Sequence, residues 1–324
     1  LMVILITKST LSKEAFDEWG WRVPFWVSIL MVLVSYMIRK NMHESPVFAK
    51  AKEEGKTSTN PLKESFGNKY NLKFVLLALF GATMGQGVVW YTGQFYAMNF
   101  LKTVQNIDSS QVDMLLGIAL ILGTPFFVVF GWLSDKFGRK SIMMTGMLLA
   151  IFLYRPIYRT MYETTNLDKK EIVSQQKNIP VQFNNEKKEV YFLSTTEYTD
   201  GTIEKETFTT KMNVGKVIPE TVKTTVQINN KDRCILIFLV FIQVIFVTMV
   251  YGPIAAFLVE MFPVKIRYTS MSLPYHVGNG IFGGLLPAIS TYFVTNAKDN
   301  GNPEFYLEGL WYPIGIAALC FVIG

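Results

Sequence analysis

The ten residues GWLSDKFGRK, from Gly131 to Lys140, lie between two long apolar segments and contain two glycines, one acidic residue and three basic residues. Gly131 is expected to end one apolar segment where a neighbouring backbone can approach closely, and Gly138 to form the turn into the next. Asp135 can face a helix N-terminus, whereas Arg139 and Lys140 are too costly to bury and must find water or acidic partners. The stretch is therefore predicted to be a short charged connection that fixes the angle between two helices.

The composition is that of a membrane protein. Of the 324 residues, 50% are hydrophobic and only 17% are charged, and the mean hydropathy is +0.26. Soluble domains carry about 25% charged residues. A net charge of +6 would suggest nucleic acid as the partner of a soluble protein, but here a lipid bilayer and the membrane topology explain it better, so no nucleic acid is expected.

Six apolar segments are long enough to cross a bilayer. A spanning helix needs about 20 mostly apolar residues, because its backbone groups find no water in the hydrocarbon. The complete spans are predicted at residues 22–39, 74–101, 112–133, 141–162, 234–258 and 270–294, with partial spans at residues 1–6 and 310–324. The fold class is therefore an all-α polytopic membrane protein.

Positive charge separates the two sets of connections. Residues 39–73, 134–141 and 259–269 hold thirteen lysines and arginines, whereas residues 7–21, 102–113 and 295–309 hold four, together with eight acidic residues. Because short cytoplasmic connections are rich in positive charge, the first set is predicted to be cytoplasmic. The stretch from Gly131 to Lys140 then faces the cytosol.

A polar segment at residues 163–233 interrupts the spans and is predicted to lie outside. Residues 187–211 alternate and are rich in Thr, Tyr, Val and Phe, and Asp200-Gly201 suits a tight hairpin turn. We expect a small β-rich extracytoplasmic insert. A flexible loop without a role in transport and a domain that docks a receptor or partner both remain open.

The stretch from Gly131 to Lys140 resembles the cytoplasmic signature of the major facilitator superfamily, in the copy between the eighth and ninth helices. Three further stretches, WGWRVPF with HESPVF, GQGVVWYTGQFY and GPIAAFLVEMFPVKIRY, are similar to its metabolite:proton symporter branch, the group of proline/betaine, alpha-ketoglutarate and shikimate transporters. They occupy residues 19–25 with 43–48, 85–96 and 252–268. The resemblance covers nearly all of the chain except residues 163–233.

Aligned with a twelve-helix transporter, the sequence is expected to be a fragment that holds the C-terminal half of the fold with the fifth and sixth helices. This resemblance implies the following division. Residues 1–39 are the end of helix five and helix six, 40–73 the central cytoplasmic loop, 74–162 helices seven to nine, 163–233 the insert and 234–324 helices ten to twelve, the last incomplete.

Polar and aromatic side chains at mid-depth are the candidates for binding a solute. In residues 74–101 three of them follow at four-residue spacing and therefore share one side of a helix over about 12 Å. Residues 270–294 contribute a second group beside a run of glycines. The predicted substrate-binding residues are Gln86, Trp90, Tyr91, Gln94, Tyr275, His276 and Asn279. Amides can bind a carboxylate or hydroxyl, and His276 can exchange protons near neutral pH. Contacts between helices are the alternative role for these residues.

Charged residues and two glycines beside the predicted cytoplasmic ends of the helices form a second group. They are expected to make a network that closes an inner gate, although solvated surface charges would look the same in sequence. The predicted gate residues are Gly131, Asp135, Gly138, Arg139, Lys140, Glu44, Glu260 and Arg267.

These features favour a secondary active transporter in the bacterial inner membrane. It would take up a small organic solute, a carboxylate or zwitterion such as a dicarboxylate, proline or betaine, together with protons, and it would act as a monomer. A proton-independent facilitator of sugars or other solutes with the same fold is the first alternative, and a transporter-derived receptor that uses the insert is the second. The sequence holds no metalloprotease, Walker or nucleophile-elbow motif, so no enzyme, cofactor or metal site is predicted.

Overall fold

The structure is a computed structural model that describes residues 2–42, 44–55, 57–184, 189–211 and 219–324. His43, in one of the family-like stretches, and residues 187 and 188 of the predicted β-rich segment lie outside these ranges. The helices are α1 (Met2–Thr10), α2 (Lys13–Glu18), α3 (Gly20–Asn41), α4 (Pro46–Glu53), α5 (Lys69–Val104), α6 (Ser109–Phe137), α7 (Arg139–Thr164), α8 (Asn230–Met261), α9 (Arg267–Asp299) and α10 (Phe305–Ile323), with short helical segments at Lys63–Gly67 and Leu167–Lys169.

Seven of the described helices, α3 and α5 to α10, are long and apolar enough to cross a membrane by length and composition. They contain all six predicted complete spans, so the prediction of an all-α polytopic membrane protein is confirmed. Helix α10, predicted as a partial span over residues 310–324, begins already at Phe305.

Several helices begin earlier than the hydropathy pattern predicted, because polar residues cap them. Asn68 accepts a hydrogen bond from the backbone N–H of Tyr70 at 2.9 Å, and α5 therefore starts at Lys69 rather than at residue 74. Asp108 caps α6 in the same way. A capping side chain satisfies backbone N–H groups that the first helical turn leaves free.

Helix α5 lies at the centre of the bundle and contacts α7, α8, α9 and α10. The core around it contains large buried side chains, among them two tyrosines of α7 that bond to the backbone of α5. Tyr158 donates its hydroxyl to the carbonyl of Thr92 at 3.1 Å, and Tyr154 reaches the carbonyl of Val89 at 3.4 Å. Because α5 is held from several sides, the side chains along it have fixed positions.

The insert is a four-stranded antiparallel sheet in the order β1-β2-β3-β4, which confirms the predicted β-rich segment. Its strands are β1 (Ile172–Asn184), β2 (Glu189–Tyr198), β3 (Ile203–Lys211) and β4 (Pro219–Gln227). The turn predicted at Asp200-Gly201 joins β2 to β3, and Gly201 adopts φ of +84° there, a conformation that favours glycine.

The sheet is anchored to the helical bundle through β4. Val226 donates its N–H to the carbonyl of Asn106 at 2.7 Å and accepts from the N–H of Asp108 at 2.9 Å, in the connection between α5 and α6. The Gln111 side chain also accepts from the N–H of Ile228 at 2.9 Å. We call the end of the bundle that carries these contacts the sheet end, and the opposite end, at Gly138, the turn end.

A cluster of charged side chains adds a second anchor. The ammonium of Lys170 lies 2.6 Å from both Asp200 and Asp232, and Asn229 donates to the same two carboxylates at 2.8 and 2.9 Å. Asp200 belongs to the β2–β3 turn and Asp232 to the first turn of α8. The cluster therefore joins the sheet to the start of a spanning helix.

Candidate functional site

Helices α5 and α9 are joined at mid-length by a pair of amide side chains. Gln86, 1% exposed, donates to the side-chain oxygen of Asn279 and accepts from its nitrogen, each at 3.1 Å. Asn279 gives its second amide hydrogen to the carbonyl of Tyr275 at 2.9 Å. Both hydrogens and the oxygen of Asn279 are thus engaged within the protein.

Aromatic side chains extend this group from α9 to α8 and back to α5. The hydroxyls of Tyr275 and Tyr251 lie 2.7 Å apart, and the ring of Tyr251 packs on the ring of Trp90 with centroids 4.6 Å apart. The connected set Gln86, Trp90, Tyr251, Tyr275 and Asn279, together with Gln94, is called the central cleft below. It draws side chains from three different helices to one place.

Glycines allow this close approach. A Cβ added to Gly87 would lie 2.5 Å from the carbonyl oxygen of Gly278, and one added to Gly278 would lie 2.7 Å from the backbone of Thr83. Both contacts are too short for any side chain. The π-helical segment Gly278–Gly283 begins at this contact and includes Asn279. Such segments re-aim side chains within a helix and are frequent at functional sites.

The other predicted binding residues do not join the hydrogen bonds of the cleft. Tyr91 packs against the backbone of α9, because a Cβ on Gly283 would lie 2.5 Å from its ring. His276 is exposed, and its ring lies edge-on to that of Tyr275 at 5.8 Å. Gln94 is half-buried, in the π-helical segment Thr92–Tyr96. It has no hydrogen-bond partner in the described part of the chain.

Some hydrogen-bond donors of the cleft have no partner among the described residues. Of the two tyrosine hydroxyls in contact, one donates to the other, which leaves one O–H proton unused. Within the described residues the indole N–H of Trp90 and the amide of Gln94 also lack partners. These groups can donate to an acceptor such as a carboxylate, whereas Gln86 and Asn279 already satisfy one another and fix the position of Tyr275.

At the turn end, Arg139 contacts two other predicted gate residues, Asp135 and Glu260. Its Nε donates a hydrogen bond of 2.8 Å to the carboxylate of Glu260 at the end of α8, a second guanidinium nitrogen lies 2.8 Å from the same carboxylate, and a third lies 3.0 Å from Asp135. Gly138 forms the turn between α6 and α7 with φ of +92°. The pairs are charge-assisted and forked in geometry, although the two carboxylates are largely exposed.

The remaining gate residues are not joined to this network. Arg267 donates to the carbonyl of Phe262 at 3.1 Å, and within the described residues neither Glu44 nor Lys140 makes an ion pair. Gly131 does not end its helix as predicted, since α6 continues to Phe137. The chain stays helical through the six residues that follow Gly131, and the backbone near Gly131 is approached by Gly252 of α8.

Sequence reasoning missed two features. The first is Tyr251, which contacts Trp90 and Tyr275. It directly precedes residues 252–268, which resemble the family, and this position is the signal in the sequence that could have identified it. The second is a buried ion triad at the sheet end, where Asp113 lies 2.9 Å from Lys8 and 2.5 Å from Lys102. Asp113 is 4% exposed, yet its partners are 105 and 11 residues away, which no local pattern reveals.

The family model for the Major Facilitator Superfamily matches residues 9–159. This range includes α5, the stretch from Gly131 to Lys140 and most of α7.

Known relatives extend the match along the chain. The citrate-proton symporter of Salmonella typhi is 23% identical over 96% of this chain and 54% of its own length. A putative proline/betaine transporter of Staphylococcus aureus (strain COL) is 19% identical over 99% of this chain and 54% of its own length. The putative transporter YdfJ of Escherichia coli (strain K12) is 32% identical over 45% of this chain and 34% of its own length.

The chain thus spans about half the length of the first two relatives. Their names are those of transporters rather than enzymes, as the motifs predicted. The residues matched by the family model include residues of the central cleft and of the Arg139 network. The seven long apolar helices agree with a match to a membrane protein family. The chain is an integral, multi-pass membrane protein, and it is similar to transporters of the major facilitator superfamily.

Proposed function

We propose that the chain forms part of a secondary active transporter that moves a small organic solute across a membrane by alternating access. The observation that carries this proposal is the central cleft itself. Gln86 lies at the midpoint of the 36-residue helix α5, where polar groups are costly in hydrocarbon and mark solute pathways. Three helices bring their polar and aromatic side chains together at this depth.

The free donors of the cleft favour a solute with a carboxylate. Trp90, Gln94 and one tyrosine hydroxyl can each donate a hydrogen bond, and the aromatic rings can enclose a small apolar body. Citrate, proline and betaine, which appear in the names of the relatives, all carry a carboxylate. We assign solute contact to Trp90, Gln94 and Tyr275, and the positioning of α5 against α9 to Gln86 and Asn279.

The charge clusters at the two ends suit the two gates of such a carrier. At the turn end, which the distribution of positive charge predicts to be cytoplasmic, Arg139 ties α7 to α8 through Glu260. At the sheet end, Asp113 ties α1 to α5 and α6. Since α1 contacts α6 through this triad, breaking it would let the sheet end open. The four-stranded sheet would then lie outside the cell, and the spanning helices would lie in a bacterial plasma membrane.

Proton coupling is the finer part of the proposal. It is supported by the name of the citrate-proton symporter and by His276, whose side chain is exposed next to Tyr275. An imidazole ring can both accept and donate a proton.

Uptake into proteoliposomes tests both parts. The full-length protein is reconstituted, and the entry of labelled citrate, proline and glycine betaine is measured with and without an imposed pH gradient. A proton symporter accumulates one of these solutes only when the gradient is present, and the His276→Gln variant accumulates less. Uptake that ignores the gradient selects a facilitator, and the lack of saturable uptake of carboxylate solutes contradicts the proposed substrate class.

A further inference from the structure

A cavity opens at the sheet end of α5 and α9. It has a volume of about 250 Å³ and lies between the last third of α5, the second half of α9 and Phe305 at the start of α10. From Gln86 to Asn99 and from Asn279 to Thr291 the helices advance about 18–20 Å, at about 1.5 Å per residue. The cavity therefore lies well away from the central cleft but on the same pair of helices.

The lining of this cavity combines apolar side chains with polar groups and carries no acidic residue. It presents two amides, four hydroxyls and one ammonium group, from Asn99, Asn106, Tyr96, Thr103, Thr291, Thr295 and Lys298. The side chain of Asn99 donates to the hydroxyl of Thr291 at 3.3 Å and so joins α5 to α9 at the cavity. Neutral donors with a single cation suit an organic anion of few atoms.

The ammonium group of Lys298 is free to bind a solute. Its ammonium lies 5.8 Å from the centroid of the Phe305 ring, and in the described part of the chain no carboxylate pairs with it. The neighbouring acid Glu304 is instead engaged by Arg159 and lies 3.7 Å from Arg155. The cation at this cavity is thus left without a counterion from the protein.

We propose that this cavity is a second solute site, in which Lys298 and the surrounding hydroxyl and amide groups hold the carboxylate of a small organic acid or zwitterion before it reaches the central cleft. The assignment to the transport path rests on the proposed function. A site at the entrance raises the local concentration of a charged solute, as clefts lined by one sign of charge do. Lys298 acts here by binding the solute and not by positioning the cleft.

A fluorine label at Phe305 tests the site directly. The full-length protein carries 4-trifluoromethylphenylalanine in place of Phe305, and its ¹⁹F resonance is followed while sodium acetate, citrate, proline or glycine betaine is added against sodium chloride of matched ionic strength. The proposal predicts a saturable shift with at least one carboxylate. Lys298→Gln weakens the apparent affinity at least about tenfold, the loss expected for a hydrogen bond to a charged group, while Lys298→Arg retains most of it.

The Gln94→Leu variant and a transport assay separate this inference from the proposed function. In Gln94→Leu, where contact in the central cleft is lost, the ¹⁹F shift should persist. A saturable shift without any transport would leave the site standing and remove the proposed function. The inference is overturned if no carboxylate gives a saturable shift, if Lys298→Gln binds as tightly as the unaltered protein, or if Gln94→Leu abolishes the shift.

Discussion

Gln86 and Asn279, 193 residues apart in the chain, exchange two hydrogen bonds of 3.1 Å at the middle of the interface between α5 and α9. Because Asn279 also holds the carbonyl of Tyr275, this pair sets how the two helices present their side chains to the central cleft. Its geometry depends on backbone contact at Gly87 and Gly278.

Gly87→Ala should separate α5 from α9. The added methyl would lie 2.5 Å from a carbonyl oxygen of the neighbouring backbone, and such overpacking costs about 1–3 kcal/mol. We expect a lower unfolding midpoint in detergent and slower solute uptake. Gly280→Ala is the matched control, because a Cβ on Gly280 meets nothing within 4 Å. Equal effects of the two substitutions would argue against close packing as the cause.

Asp113→Asn should loosen the sheet end. Lys8 and Lys102 then lose the carboxylate that they share, and removal of one partner of a buried ion pair costs about 3–5 kcal/mol, less here because both lysines are partly exposed. Spin labels at Thr10→Cys and Ser110→Cys report the distance between α1 and α6. We expect the distribution to move to longer distances. Asp108→Asn, which preserves a helix cap, should leave it unchanged, and an unchanged distribution in Asp113→Asn would contradict the role of the triad.

Glu260→Gln separates a role in gating from one in stability. Glu260 is 60% exposed, so its pair with Arg139 should contribute little to stability. The unfolding midpoint should therefore barely change, whereas the uptake rate should fall several-fold. Glu44→Gln serves as the control, since Glu44 makes no ion pair within the described residues. A normal uptake rate in Glu260→Gln would exclude the network from the gate.

The anchoring of the sheet should depend on pH through Asp200. Burial raises the pKa of this carboxyl, but hydrogen bonds from Lys170 and Thr202 outweigh burial and leave the pKa below its usual value of 3.8. A carboxyl with a lowered pKa stabilises the fold above its unfolded pKa, and this contribution is lost as the pH falls through the folded value.

Hydrogen exchange at the Gly201 and Thr202 amides, corrected for intrinsic rates, should accordingly show constant protection down to about pH 4 and a loss below it. Asp200→Asn should reduce the protection at neutral pH and remove the acid-dependent step. A step of the same size in Asp200→Asn would assign the pH dependence to another group.

The sequence predicts the helices well and their contacts less well. Long apolar runs make the spans visible, and the alternation in residues 187–211 makes the sheet visible, because both depend on local pattern. Helix starts at Lys69 and Ser109 were missed because polar caps extend helices beyond the apolar run. The partner of Gln86, the role of Tyr251 and the triad at Asp113 depend on contacts between distant segments, and neither hydropathy nor spacing specifies them.

The affinity of the Gln94→Leu protein for the transported solute tests most directly whether the central cleft binds the solute. Because Gln94 has no hydrogen-bond partner in the described part of the chain, this substitution should leave the unfolding midpoint unchanged. Counterflow of labelled solute in proteoliposomes measures the affinity. The central cleft as a solute site predicts an increase of about tenfold in the half-saturating concentration, the loss of one hydrogen bond to a carboxylate. An unaltered half-saturating concentration in a stable, correctly inserted Gln94→Leu protein would contradict it.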